Sequence, residues 1–196
     1  MNLTNNMKVI DLETMGFSPA IYDKITKELK YENDILEIGV TELSIDKDKK
    51  FKIGKNYSRL IKPTRSIPSN ITNLTNITND MVKNQKTIEE VLPNFRKYIG
   101  NDLVIGHNLS YDLKFLNYYL EKYNLPLITN QICTLEMLKK VQNYTGENKK
   151  LGTACEYYGI KLNKAHRAYA DTYATAQLFI KLIDELDFFN NFLMFM

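Results

Sequence analysis

Met7-Lys-Val-Ile-Asp-Leu-Glu-Thr14 reads as a β-strand, dense enough in apolar residues to lie at the centre of a sheet, and two carboxylates interrupt it. Asp11 and Glu13 are two residues apart, so in a strand both side chains leave the same face. The spacing alone is common. Glu32/Asp34, Asp46/Asp48 and Glu185/Asp187 share it and are expected on solvated surface. What sets Asp11 and Glu13 apart is their setting, because an unpaired carboxylate in a buried strand costs several kcal/mol. The pair therefore either finds lysine partners or serves chemistry.

Working outward, residues 34–45 and 51–61 read as two further strands, and the charged turn 46–50 between them predicts an antiparallel pair. Residues 17–33 are polar and longer than a simple connection; the expectation is a short helix around Ile21 to Leu29, either a lid or a surface helix. Pro63 and Pro68 mark a loop. Thr87-Ile-Glu-Glu90 is a capping box opening a helix towards Tyr98, with a bend expected at Pro93. Leu103-Val-Ile-Gly106 is a short buried strand, and Ser110 is the expected N-cap of a helix with Leu113, Leu116, Leu120 and Tyr123 on one face. An apolar stretch at Ile132, two modest helices and a longer helix from about Ala168 to Leu186 follow. Three strands and then helices alternating with strands predict an α/β sheet of mixed direction. With no internal repeat and no dividing linker, one domain over residues 1–196 is expected.

The composition agrees with a globular chain: 196 residues, 44% hydrophobic and 25% charged. No stretch approaches the roughly 20 apolar residues of a membrane span, so no membrane partner is expected. Met1 to Asn6 lacks the layout of a signal peptide, which argues against reading triplets such as Asn73-Leu-Thr75 as glycosylation sites. Cys133 and Cys155 form no CxxC and no ligand spacing with the two histidines; free thiols in a reducing cytoplasm are the expected state. A net charge of +3 permits nucleic-acid binding without requiring it.

Two more acids have telling positions. Asp112, in His107-Asn-Leu-Ser-Tyr-Asp112, falls in the first turn of a helix just after a strand, where α/β sheets place their sites. A helix-dipole aspartate is the plainer account of it. Asp171 follows His166 by five residues, on a helix whose Ala168, Ala170, Ala174 and Ala176 allow close approach to the sheet. Both histidines of the chain thus lie in candidate segments.

These segments resemble the three exonuclease motifs of the DEDD superfamily in its histidine-bearing (DEDDh) branch, which includes the proofreading subunits and domains of bacterial replicative polymerases. The first motif is matched by Asp11-Leu-Glu13-Thr14, the second by Gly106-His-Asn-Leu-Ser-Tyr-Asp112 and the third by His166 through Asp171. The sister branch carries a tyrosine four residues before the last aspartate, where this chain has Arg167. The resemblance runs from about residue 7 to 184 and includes residues 71–78, where the family usually has glycine at the Asn76 position. Asparagine is the next best residue for a left-handed turn.

The resemblance implies a ribonuclease H-like fold: a mixed five-stranded sheet, three antiparallel strands then two parallel, with flanking helices. It implies a 3′→5′ exonuclease in which Asp11, Glu13, Asp112 and Asp171 hold two divalent cations about the terminal phosphate. Four carboxylates within about 5 Å would repel by roughly 3–4 kcal/mol per pair, and all-oxygen ligands favour Mg²⁺ or Mn²⁺. One ion would lower the pKa of a water and the other would stabilise the leaving 3′ oxygen. His166 would accept the water's proton. Thr14, Met15, His107 and Asn108 match positions lining the terminal-nucleotide pocket, although Met15 serves equally as core. The implied substrate is a single-stranded 3′ end, DNA favoured over RNA, and a DNA polymerase subunit is the further implied partner. RNA trimming and a catalytically silent binding module are the alternatives; retention of all five site residues speaks against the second. The apolar tail, residues 186–196, either packs on the domain or makes a protein contact.

Overall fold

The computed structural model describes residues 6–162 and 167–186. The chain opens with β1 (Asn6–Thr14), forms a small hairpin from β2 (Ala20–Tyr22) and β3 (Leu29–Glu32), and continues through β4 (Ile35–Ile45) and β5 (Phe51–Leu60). Short helices α1 (Ser69–Thr75) and α2 (Asn79–Val82) precede α3 (Ile88–Ile99). Then come β6 (Leu103–Gly106), α4 (Leu109–Lys122), β7 (Gln131–Cys133), α5 (Thr134–Leu138), α6 (Leu151–Tyr157) and α7 (Ala168–Glu185).

Five strands form one sheet in the order β5-β4-β1-β6-β7. β1 pairs antiparallel with β4, and β4 with β5, while β1–β6 and β6–β7 are parallel. The mixed α/β sheet expected from the order of elements is the one found.

Because side chains alternate along a strand, β1 splits its residues between two cores. Ile10 and Leu12 pack with Leu92 and Phe95 of α3 and with Leu113 and Leu116 of α4. Met7 and Val9 lie on the opposite face with Leu178, Phe179 and Leu182 of α7. Asp11 and Glu13 continue the Met7–Val9 row, so the α7 face of β1 is apolar at one end and acidic at the other. Lys8 shows how this chain treats a buried charge it keeps for structure: Glu42 and Asp102 pair with it at 3.4 and 3.6 Å.

Several local expectations meet the structure directly. Asn76 ends α1 with φ 57° and donates its N–H to Thr72 O at 2.8 Å, the left-handed turn that asparagine tolerates. The capping box holds, with the Thr87 N–H donating to Glu90 Oε2 at 2.8 Å. The helix expected after the box is α3, with Pro93 inside it.

Two expectations are corrected. Residues 21–29 form no helix; they belong to the β2–β3 hairpin. Asp23 Oδ1 accepts the N–H groups of Ile25 and Thr26, and Lys27 adopts φ 62°, so local side-chain bonding closes a turn where a helix was expected. The N-cap of α4 is Asn108, at φ 58° and ψ 38°, and Ser110 is already helical. The strand end must reverse sharply there, and asparagine enters the left-handed region at lower cost than serine.

No helix among the described residues is long and apolar enough to cross a membrane. Of the apolar tail, residues 186–196, all but Leu186 lie outside the described residues.

Candidate active site

Three of the expected acids meet. Ligand oxygens of Asp11, Glu13 and Asp171 all lie within 4.8 Å of one another. β1 supplies the first two from one face, and α7 supplies the third from its first turn. The helix reaches that depth because β4 makes room: a Cβ on Gly39 would stand 2.4 Å from the backbone of Ala168. One turn further on, Thr41 Oγ1 and Thr172 Oγ1 are hydrogen-bonded at 3.0 Å. The small residues of α7 therefore meet a small residue on the sheet.

Asp112 is not one of these three; it stands in the first turn of α4, where its Oδ1 accepts the backbone N–H of Leu12 at 3.0 Å. Leu12 lies between Asp11 and Glu13, so this bond fixes the α4 carboxylate against the acidic end of β1.

Burial and mutual repulsion show in the protonation equilibria. Burial pushes the Glu13 carboxyl up to about 8, helped by the charges of Asp171, Glu37 and Asp112 and opposed by Arg167. Asp112 is likewise pushed up to about 8 by burial, against the lowering effect of its bond from Leu12. Asp11 is held well above the usual carboxylate range, first by burial and then by Asp112, Asp171, Glu13 and Glu37. Among the described residues neither Asp11 nor Glu13 forms a salt bridge. With every acid ionised, such an arrangement is stabilised by a bound cation, and a carboxylate donor set suits a hard divalent ion. The three converging oxygens fit one such site.

A fifth acid was missed in the sequence. Glu37, fully buried on β4, pairs in register with Glu13 on β1. It accepts bonds from Arg167 Nε at 3.1 Å and Nη2 at 3.0 Å, from Ser58 Oγ at 2.6 Å and from the Ala168 N–H at 3.2 Å. Burial works to raise its pKa, but these donors outweigh it and hold the carboxyl below the usual range. Glu37 thereby satisfies an N–H at the start of α7, since Arg167 offers no capping side chain. The signal was available: Glu37 interrupts the apolar run 35–40 much as Asp11 and Glu13 interrupt β1.

The residues expected around the terminal nucleotide are placed as follows. Thr14 Oγ1 is bonded to Tyr111 Oη at 2.6 Å and donates to Gly16 O at 3.0 Å. Met15 is packed in an apolar cluster with Leu36, Ile67, Ile77 and Val82. Both ring nitrogens of His107 are engaged, Nδ1 with Thr134 Oγ1 at 3.0 Å and Nε2 with the Lys149 carbonyl at 2.9 Å. A carbonyl only accepts, so Nε2 carries a proton. Burial holds the His107 pKa below its usual value, against that bond. Asn108 is exposed at the mouth of α4. His166 lies outside the described residues.

Comparison with known proteins agrees with this geometry. The RNase_T (Exonuclease) family model matches residues 9–179. The chain is 36% identical over 188 residues to DNA polymerase III subunit epsilon of Aquifex aeolicus, covering 95% of this chain and 84% of that protein. It is 32% identical over 185 residues to DNA polymerase III PolC-type of Caldanaerobacter subterraneus subsp. tengcongensis, covering 94% of this chain but only 12% of that much longer protein. A structure of Exonuclease X in complex with 5′ overhanging duplex DNA shares the fold, with TM-score 0.64, 24% identity and 91% of each chain covered. Matched by the family model over most of its length and by a relative above 30% identity over nearly all of it, the chain belongs to the DEDDh exonucleases, metal-dependent enzymes that hydrolyse nucleic acid from its 3′ end.

Proposed function

We propose that this protein removes nucleotides singly from the 3′ end of single-stranded or frayed DNA, releasing nucleoside 5′-monophosphates, in proofreading or repair. The observation that carries this reading is the convergence of the Asp11, Glu13 and Asp171 oxygens within 4.8 Å in a largely buried setting. DNA is preferred because the relatives that match along nearly the whole chain are named as DNA polymerase III proteins. The same names support a polymerase subunit as partner and, with two free cysteines, a cytoplasmic setting.

In this reading Asp11, Glu13, Asp112 and Asp171 hold two divalent cations, Mg²⁺ or Mn²⁺. When bound, such ions supply a water of lowered pKa and charge stabilisation at the leaving 3′ oxygen. Asp112 is tied to Leu12, between the two acids of β1, through one of its oxygens. His166, adjoining the Arg167 anchor in sequence, takes the proton of the attacking water. Thr14, Met15, His107 and Asn108 line the terminal-nucleotide pocket in this reading, with Met15 also packed in the core and His107 held through its two ring bonds.

The test offers end-labelled single-stranded DNA and RNA to the protein with Mg²⁺ and then with EDTA. Mononucleotide release from the 3′ end of DNA, faster than from RNA and abolished by EDTA, is expected. Cleavage insensitive to EDTA would end the reading.

A further inference from the structure

At the outer edge of the sheet, one strand away from the acid cluster, a cleft of about 540 Å³ opens. Glu37 and Arg167 belong to its lining, Ser58 and Arg59 come from β5, and the connection after α2 contributes Gln85 and Lys86. Its place is fixed by strand register: Glu37 lies directly opposite Glu13 on β1, so one wall of the cleft adjoins the acids that converge in the site. Both stand at the end of the sheet where β1 runs out towards Thr14 and β5 towards Leu60.

The charge of the lining is cationic in effect. Among the described residues Glu37 is the only acid in it, and its oxygens already take four hydrogen bonds, two of them from Arg167. That leaves Arg59 and Lys86, both exposed and neither in a salt bridge among the described residues. Glu90, an acid whose charge acts on Lys86, forms no salt bridge with it and takes the Thr87 N–H and hydroxyl of the capping box. Two uncommitted cations, a guanidinium locked in place by a buried carboxylate, and carboxamide donors around a polar cleft make an anion site with hydrogen-bonding capacity beside it.

We propose that this cleft holds a phosphodiester of the substrate strand on the 5′ side of the bond being cut, with Arg59 and Lys86 as its anion contacts. The inference rests on the exonuclease reading, which supplies a polyanion whose terminal phosphate lies among the neighbouring acids. It gives the enzyme a grip on the strand that is independent of the terminal nucleotide, and one that a mononucleotide substrate cannot use.

The experiment compares the wild type with the Arg59→Ala/Lys86→Ala double variant and with Arg59→Lys as the charge-preserving control. Binding of a 5′-labelled single-stranded oligodeoxynucleotide is followed by fluorescence anisotropy, with Ca²⁺ replacing Mg²⁺, across a salt series. Hydrolysis of the same oligonucleotide and of the p-nitrophenyl ester of thymidine 5′-phosphate is measured in Mg²⁺. The double variant is expected to bind about tenfold more weakly, and its slope of log Kd against log salt to flatten by about 1.4, the equivalent of two lost phosphate contacts on a single strand. The ratio of kcat/KM for oligonucleotide to that for ester is expected to fall by about tenfold, with Arg59→Lys close to wild type. An unchanged Kd and salt slope, or an equal fall on both substrates, overturns the proposal. A wild type that cleaves neither substrate defeats the exonuclease reading instead, and the binding arm then still decides whether the cleft holds the strand.

Discussion

Asp11, Glu13 and Asp112 hold protons more tightly in the fold than they do in an unfolded chain, because burial and each other's charge disfavour ionisation. From an unfolded value of about 4 up to the folded value of about 8, the native chain binds the extra protons, so stability is highest below that window and falls as pH rises through it. Without metal, melting should therefore drop by at least about 5 °C between mildly acidic and mildly alkaline buffer, and Mg²⁺ should recover the loss at the alkaline end. Calorimetry in EDTA and in Mg²⁺ checks both halves; a metal-free melting temperature that rises with pH would contradict the electrostatics. Asp171→Asn separates stability from chemistry. It removes a charge that acts on both Asp11 and Glu13, so it should raise the metal-free melting temperature at alkaline pH. It should also cut turnover by more than about a hundredfold even in excess Mg²⁺, since loss of an outer-shell partner alone costs 10–100-fold. His166→Ala should keep 3′-end binding and lose about 10²–10⁴ in kcat, the usual contribution of a general base. Full turnover in that variant would remove the imidazole from the mechanism.

The start of α7 is the element on which the site depends. Glu37 holds it through Arg167 and the Ala168 N–H, Asn56 Nδ2 donates to the Tyr169 carbonyl at 2.8 Å, and Gly39 lets the backbone come close. Asp171 is one turn beyond this anchor and His166 is the residue before it, so an error in the anchor moves both. Glu37→Gln keeps the size but leaves a partly buried guanidinium without its counter-charge. The expected cost is about 2 kcal/mol, below the usual range for a broken buried pair because Arg167 is 25% exposed, or roughly 4–8 °C in Tm. The Mg²⁺ concentration for half-maximal activity should rise together with that loss; wild-type values for both would show that the anchor does not position the site. Here the limits of the sequence are visible. The acids of β1 were legible because charge in an apolar strand is conspicuous, and Glu37 carried the same signal. Its partner Arg167 is 130 residues away, and no local pattern announces a pairing at that distance. Four of the five sheet strands were legible from period and turns, while β7 showed only as an apolar stretch at Ile132; the 21–29 segment was misread because its turn is made by the Asp23 side chain and a lysine at positive φ, not by glycine or proline.

On the scale of the whole molecule, the acids gather where the sheet changes direction. β1 is flanked by an antiparallel neighbour on one side and a parallel one on the other, and α4 leaves from the parallel side to bring Asp112 back over Leu12. The β2–β3 hairpin stands outside this frame. Its base is closed by the Asn33 N–H on the Pro19 carbonyl and the Asn33 Nδ2 on the Ser18 carbonyl, both 2.8 Å, so the chain path through the site is fixed before the hairpin begins. Beyond that base the hairpin exposes Tyr22, Ile25, Leu29 and Tyr31, and Glu32 ties it to α4 through Tyr118 and Lys122. Ala20 and Glu32 are register partners, which lets the arm be shortened cleanly by replacing residues 21–31 with an Asn-Gly turn. If the arm is an accessory, the shortened protein should melt within about 3 °C of wild type, the scale of roughly 1 kcal/mol in a chain of this size, and hydrolyse the thymidine ester normally. A raised KM confined to oligonucleotides would make the hairpin a lid over the strand. Loss of ester hydrolysis with the fold intact would instead show that the arm helps to order the acids, contrary to the closure seen at Pro19 and Asn33.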